Sequence, residues 1–168
     1  LLAEGHTKKI VLFANSDGTI VEDFRNSLKT FDSSLELIKE KENHYRISSP
    51  NRKNKVLFHN KKRNEKCQFL KGNRNVNETR SIRKLIEREE MFGLLATQKF
   101  LSQNLMQLKR ENIELLLNRL FSCDGSVYKT NNYWGISYSS SSKQLIHQIH
   151  SLLLRFGILS KIRDKKIN

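Results

Sequence analysis

Leu115-Leu116-Leu117-Asn118-Arg119-Leu120-Phe121-Ser122-Cys123-Asp124-Gly125-Ser126 is the stretch whose reading decides the fold. With the preceding Glu111-Asn112-Ile113-Glu114 it has the apolar spacing of a helix, and it ends on an acid followed by glycine. Gly125 at such an end suits a left-handed helix cap. A carboxylate there is electrostatically misplaced, because the C-terminal pole of a helix is negative and the charge costs about 0.3–1 kcal/mol. Something positive is therefore expected beside Asp124. A divalent cation held by oxygen ligands fits, since Mg²⁺ takes one or two carboxylates, keeps several waters and binds phosphates.

A single acid-Gly pair is ordinarily a surface turn. Here the pair recurs: Glu4-Gly5 closes the apolar Leu1-Leu2-Ala3, 120 positions before Asp124-Gly125. The segments after the two pairs run in the same order, and a repeated unit defines an architecture as no single motif does. After Gly5 come a short apolar strand, Ile10 to Ser16, and an amphipathic helix from Asp17 to Phe31 with Ile20, Phe24 and Leu28 on one face. After Gly125 come strands at Ser126–Lys129 and Tyr133–Ser139. A helix over residues 141–157 then follows, with Leu145, Ile149, Leu152 and Phe156 on one face. Ser16 or Asp17, and Ser141 or Ser142, suit the N-caps, and Gly157 suits the stop. Between the copies, Glu36–Ile47 and Lys55–His59 are expected as strands and Thr79–Phe92 as a helix stopped by Gly93. The expected class is α+β: a first half over 1–97 and a linker plus second half over 98–168. The second half is shorter, with one further strand at Ser160–Lys166, and both ends look cut.

The charge balance sets the partner. Thirty-one Lys and Arg against seventeen Asp and Glu give +14 on 168 residues, and such an excess calls for an anion, most commonly nucleic acid. It concentrates in Asn51–Lys84, where twelve basic residues face only Glu65 and Glu78. Val56, Leu57, Phe58, Phe69 and Leu70 interleave them, which suggests strands carrying cations on one face. Apolar runs reach only a few residues, far short of the ~20 a membrane span needs, so no membrane segment is expected. Cys67 and Cys123 lack a CxxC partner or zinc-site spacing, and with no signal-peptide pattern a reduced, intracellular setting is expected. The abundance of Lys, Asn and Ile suggests an AT-rich genome, so a plastid is expected as the setting, with a bacterial cytoplasm as the alternative.

LLLNRLFSCDGS with GISYSSSSKQLIHQIHSLLLRFGILSKIR, LLAEGHT with VLFANSDGTIVEDF, and FGLLATQKFLSQNL together resemble the LAGLIDADG (dodecapeptide, DOD-type) homing endonucleases. The resemblance is greatest to those inserted in inteins, including inteins of replicative DNA helicases. It implies a pseudo-twofold pair of αββαββα repeats, the second truncated here, whose two motif helices bring their terminal acids together over DNA. Each half would lay an antiparallel sheet in the major groove, forming a monomeric pseudo-dimer on a double-stranded target. By resemblance Glu4 and Asp124 hold Mg²⁺ at the scissile phosphates, and Lys99 assists as a catalytic cation. Arg46, Arg52, Lys53, Lys55, Lys61, Lys62, Arg63, Lys129, Lys161 and Arg163 are the expected DNA-contacting residues. The implied activity is sequence-specific double-strand cleavage by metal-dependent phosphodiester hydrolysis. The alternatives are a catalytically inactive DNA-binding module and an intron RNA maturase of the same fold.

Splicing chemistry is not expected: Leu1 is no nucleophile, and the terminal Ile167-Asn168 lacks a preceding His. His147 and His150 are spaced for a shared helix face and are read as such rather than as metal ligands. Tyr133 and Trp134, after Lys129-Thr130-Asn131-Asn132, are more ordinarily packing than base contacts. His6 sits where it could position a water, although a loop histidine is usually just solvated.

Overall fold

The structure is a computed structural model, and it describes residues 5–6, 11–49 and 80–164. Glu4, Arg52, Lys53, Lys55, Lys61, Lys62, Arg63, Cys67 and the strand expected at Lys55–His59 lie outside the described residues.

Mixed helix and sheet are present, as the α+β expectation requires. β1 (Gly5–His6) and β2 (Leu12–Ala14) form an antiparallel pair that leads into α1 (Gly18–Phe31). Asp17 caps α1: its Oδ1 accepts the Thr19 and Ile20 backbone N–H groups at 2.7 and 3.3 Å. β3 (Glu36–Lys41) and β4 (His44–Ser48) come next. The single strand expected over Glu36–Ile47 is thus a hairpin, turned at Asn43, whose φ of 58° lies in the left-handed region that Asn tolerates. The sheet order is β1-β2-β4-β3.

Alternation decides the faces of this sheet. Phe13, Leu37 and Ile47 join Val11 in one buried cluster with Val21 and Leu28 of α1 and with Ile82 and Ile86 of α2 (Arg80–Arg88). Phe13 stacks on Phe24 with ring centroids 4.2 Å apart. Leu12, Arg46 and Ile38 are registered across the opposite face. α2 stops at Arg88 and not at the expected Phe92. Glu90, at φ 57°, closes it: its N–H reaches Glu87 O at 3.0 Å and Met91 N–H reaches Ile86 O at 2.9 Å, a Schellman closure with a non-glycine at its left-handed position.

The second cluster is built on α4 (Arg110–Asp124) and α5 (Lys143–Leu154), which come after the short α3 (Gln103–Met106). Ile113, Leu117 and Leu120 meet Leu101, Leu145, Ile149 and Leu152. Gln148 clamps the Leu101 backbone from both sides, accepting its N–H and donating to its carbonyl, each at 2.7 Å. Ser142 caps α5, taking Leu145 N–H at 3.2 Å. Gly157, at φ 72°, ends it in the expected manner, with Ile158 N–H on Leu153 O at 3.1 Å and Gly157 N–H on Leu154 O at 2.9 Å.

Between α4 and α5 lies the hairpin of β5 (Gly125–Lys129) and β6 (Trp134–Tyr138). The further strand expected at Ser160–Lys166 is not formed over its described part, Ser160–Asp164. That segment is held by side chains instead: Ser160 Oγ lies 2.7 Å from His150 Nδ1, and Asp164 lies 3.8 Å from Lys143. No strand runs beside it among the described residues to take its backbone groups. Residues 165–166 lie outside the described residues.

Polar contacts among the described residues tie the clusters together. The buried Glu89 carboxylate accepts from Ser102 Oγ, the N-cap of α3, and lies 2.9 Å from Arg88 Nε. The Ser102 bond chiefly, with the Arg88 charge, holds its carboxyl below the ordinary range against the opposing effect of burial. On the surface, Arg119 of α4 reaches Asp23 of α1 at 2.7 Å, an exposed pair of the kind worth up to about 1 kcal/mol. Among the described residues no helix is long and apolar enough to cross a membrane.

Candidate nucleic-acid interface and acid site

Ile113, Leu117 and Leu120 define the buried stripe of α4, and Asp124 lies at the next turn of the same stripe. The carboxylate thus lies on the packed side at the very end of the helix, where the apolar cover runs out, and Asp124 is half-buried. Gly125 takes over directly as the first residue of β5, with φ −83° and ψ 158°. That is extended backbone and not the expected left-handed cap. The glycine answers a different demand: a Cβ there would lie 2.3 Å from Phe121 O and 3.0 Å from Phe121 C and Cα, all backbone atoms of the last helical turn. Only a residue without a side chain allows the chain to leave α4 this tightly.

Tyr138 is registered directly opposite Gly125. Its ring packs at 5.3 Å on Phe121, and its hydroxyl donates to Asp124 Oδ2 at 3.4 Å. Burial first, then the Asp124 charge, push the phenol above its ordinary value. Oδ1 of Asp124 has no hydrogen-bond partner among the described residues. Sequence reasoning missed Tyr138, which reaches the acid through the hairpin register that sets it opposite Gly125.

The other expected site residues that fall among the described residues stand on several elements. Lys99 is half-buried at the end of the 3₁₀ turn Ala96–Gln98, and its carbonyl accepts from Ser142 Oγ at 2.5 Å, which fixes this segment to the start of α5. Arg46 stands on the outer face of the first sheet and is paired with Glu40 at 2.6 Å. Lys129 lies opposite Trp134 in the second hairpin, with its ammonium 5.4 Å from the indole centroid. Lys161 and Arg163 are exposed beyond α5. His147 is exposed and His150 is engaged with Ser160, in keeping with a helix-face role. Tyr133 and Trp134 are exposed by 62% and 68%, so they are not packing residues in this structure. Cys123 is half-buried.

The two motif glycines share a strand register and a following helix cap. Gly5 pairs with Phe13 and Gly125 pairs with Tyr138. Four residues beyond each partner stands the helix N-cap, Asp17 for α1 and Ser142 for α5. The likeness fades further out: Val11, two before Phe13, is 7% exposed beneath the first sheet's apolar cover, whereas Ile136, two before Tyr138, is 70% exposed.

As a metal site, the Asp124 corner offers a carboxylate beside a phenol hydroxyl, both hard oxygen donors. Among the described residues no three His, Cys, Asp or Glu side chains cluster tightly enough to enclose an ion. One carboxylate whose Oδ1 has no hydrogen-bond partner among the described residues fits Mg²⁺, which retains waters and is completed by substrate phosphates, better than it fits zinc, which wants several nitrogen or sulfur ligands.

Comparison with known proteins gives three kinds of result. Stretches of 90, 101 and 92 residues are each 33% identical to parts of Protein RecA of Mycobacterium tuberculosis, ATP-dependent DNA helicase Hel308 of Methanocaldococcus jannaschii and Replicative DNA helicase DnaB of Synechocystis. These alignments take in 52%, 60% and 51% of this chain but only 11%, 8% and 11% of the relatives. The chain therefore spans about a tenth of the length of the curated relatives it matches. No solved structure matches. Residues 111–168, the segment that carries α4, the Asp124 corner, the β5–β6 hairpin and α5, match the family model of the LAGLIDADG-like domain, which supports the LAGLIDADG family for this chain.

Proposed function

We propose that this chain is a sequence-specific DNA endonuclease of the LAGLIDADG homing type, with Glu4 and Asp124 as its two metal-holding acids. The observation that carries the reading is the duplicated corner: acid-Gly, a strand pair registered on that glycine, and a capped amphipathic helix four residues later. The LAGLIDADG-like match over 111–168 supports the second copy independently. The proposed architecture is a pseudo-twofold pair of αββαββα repeats in one monomer, with halves at 1–97 and 98–168.

In this account Mg²⁺, when bound, supplies Lewis-acid stabilisation of charge at the phosphate and an activated water. The chain's own residues do the rest. Asp124 presents Oδ1 while Tyr138 occupies Oδ2. Lys99, anchored through its carbonyl to the α5 cap, offers an ammonium to charge developing at the phosphate. Arg46, Lys129, Lys161 and Arg163, with Arg52, Lys53, Lys55, Lys61, Lys62 and Arg63 of the basic segment, contact the double-stranded DNA backbone and its base edges.

An intein-borne, DOD-type origin is part of the proposal. Matching stretches of about a hundred residues sit within far longer DNA-handling proteins of different names, which is the pattern a shared insert produces. The proposed setting is intracellular.

The test is incubation with Mg²⁺ and a plasmid library of candidate uninterrupted insertion sites. Discrete double-strand cuts are expected from the wild type and none from Asp124→Asn. Tight DNA binding by both proteins with no cuts by either would replace this reading with that of a binding module.

A further inference from the structure

We propose that the Tyr138 hydroxyl is a positioning group for the Asp124 carboxylate, a donor that the matching register position of the first copy lacks. The inference rests on reading Asp124 as a metal-holding acid.

The difference lies at one register position. The residue opposite the motif glycine is Phe13 in the first copy and Tyr138 in the second. Phe13 is 2% exposed and spends its ring on the core, stacked against Phe24. Tyr138 is half-buried, its ring against Phe121 and its hydroxyl on Asp124 Oδ2. The pairing with Gly125 and the Phe121 contact fix both ends of the ring. The hydroxyl therefore needs no reorganisation to meet the carboxylate, which can only accept. By donating to Oδ2 it engages one carboxylate oxygen and leaves Oδ1 without a hydrogen bond to any described residue. Hydrogen-bonded outer partners set the orientation of a ligating group in this way. At 3.4 Å the bond is long for O–H···O, so its effect is an orientation preference of limited size. A phenylalanine at that register has no hydroxyl to offer.

The discriminating variant is Tyr138→Phe, which keeps the ring and the Phe121 contact. Mn²⁺ is titrated into the whole chain with a short mixed-sequence duplex, and free ion is read by electron paramagnetic resonance for wild type, Tyr138→Phe and Asp124→Asn. Expected is a site lost in Asp124→Asn and weakened about tenfold in Tyr138→Phe. Thermal midpoint and duplex affinity should be unchanged in the latter. An Asp124-dependent site of wild-type affinity in Tyr138→Phe overturns the positioning role and leaves the acid assignment standing. Mn²⁺ binding indifferent to Asp124→Asn overturns the acid assignment and this inference with it.

Discussion

Gly125→Ala is the substitution whose outcome depends most directly on the corner geometry. Backbone conformation does not forbid it, since φ −83° and ψ 158° suit alanine. Sterics do: the new Cβ meets the Phe121 carbonyl oxygen at 2.3 Å, against a floor near 3.0 Å for real contacts. The atoms it meets are helix backbone, so relief requires the last turn of α4 or the start of β5 to move, and Asp124 lies between them. Forcing a methyl into filled space costs about 1–3 kcal/mol, while the stiffer unfolded chain returns about 0.4–1. The net is a loss of about 1–2 kcal/mol, or about 2–8 °C of thermal midpoint for a chain of this size. Gly18→Ala is the matched control. At the first helical position of α1 its Cβ meets nothing within 4 Å, and alanine there should gain up to about 1 kcal/mol. Differential scanning calorimetry reads both. A Gly125→Ala protein as stable as wild type, cutting DNA at the same rate, refutes the claim that a tight exit from α4 sets the acid.

Three further outcomes are expected. Glu89 has a folded pKa below its ordinary 4.5, so its stabilisation is complete above that value and lost as pH falls through the lowered one. Thermal midpoints measured from pH 7 down to 3 should drop below about 4.5 in the wild type and more shallowly in Glu89→Gln. Leu152, fully buried between α4 and α5, should cost about 2–5 kcal/mol when cut to alanine, read by urea denaturation. Duplex binding through roughly 6–10 phosphates should weaken about 10³- to 10⁵-fold between 50 and 200 mM salt, measured by fluorescence anisotropy, and a flat response removes nucleic acid as the partner.

Periodicity and caps made most of the described fold legible. The apolar stripes of α1, α4 and α5 are at 3.6-residue spacing, and Asp17, Ser142 and Gly157 sit where their cap chemistry demands. What sequence could not show is where chemistry and geometry part company. The end of α2 falls at Glu90, a residue with no intrinsic preference for φ 57°, because closing bonds from Glu90 and Met91 outweigh the local cost. Gly125 suggested a left-handed cap, yet it serves a close backbone approach, which is invisible without the neighbouring turn. Of the acid site, Asp124 stood out by its misplaced charge. Tyr138 did not, because its partnership depends on hairpin register across residues 129–134. The Glu89–Ser102 link was equally hidden: both are unremarkable polar residues until folding buries them together.

The central claim is that Glu4 and Asp124 are paired nuclease acids, and strand-resolved mapping of cut ends tests it most directly. A library of uninterrupted insertion sites is digested with Mg²⁺ by wild type, Glu4→Gln and Asp124→Asn, and the 5′ and 3′ ends on each strand are sequenced. The account predicts closely spaced cuts on both strands from the wild type and loss of double-strand breaks in each variant. Breaks that persist unchanged in both variants would contradict it.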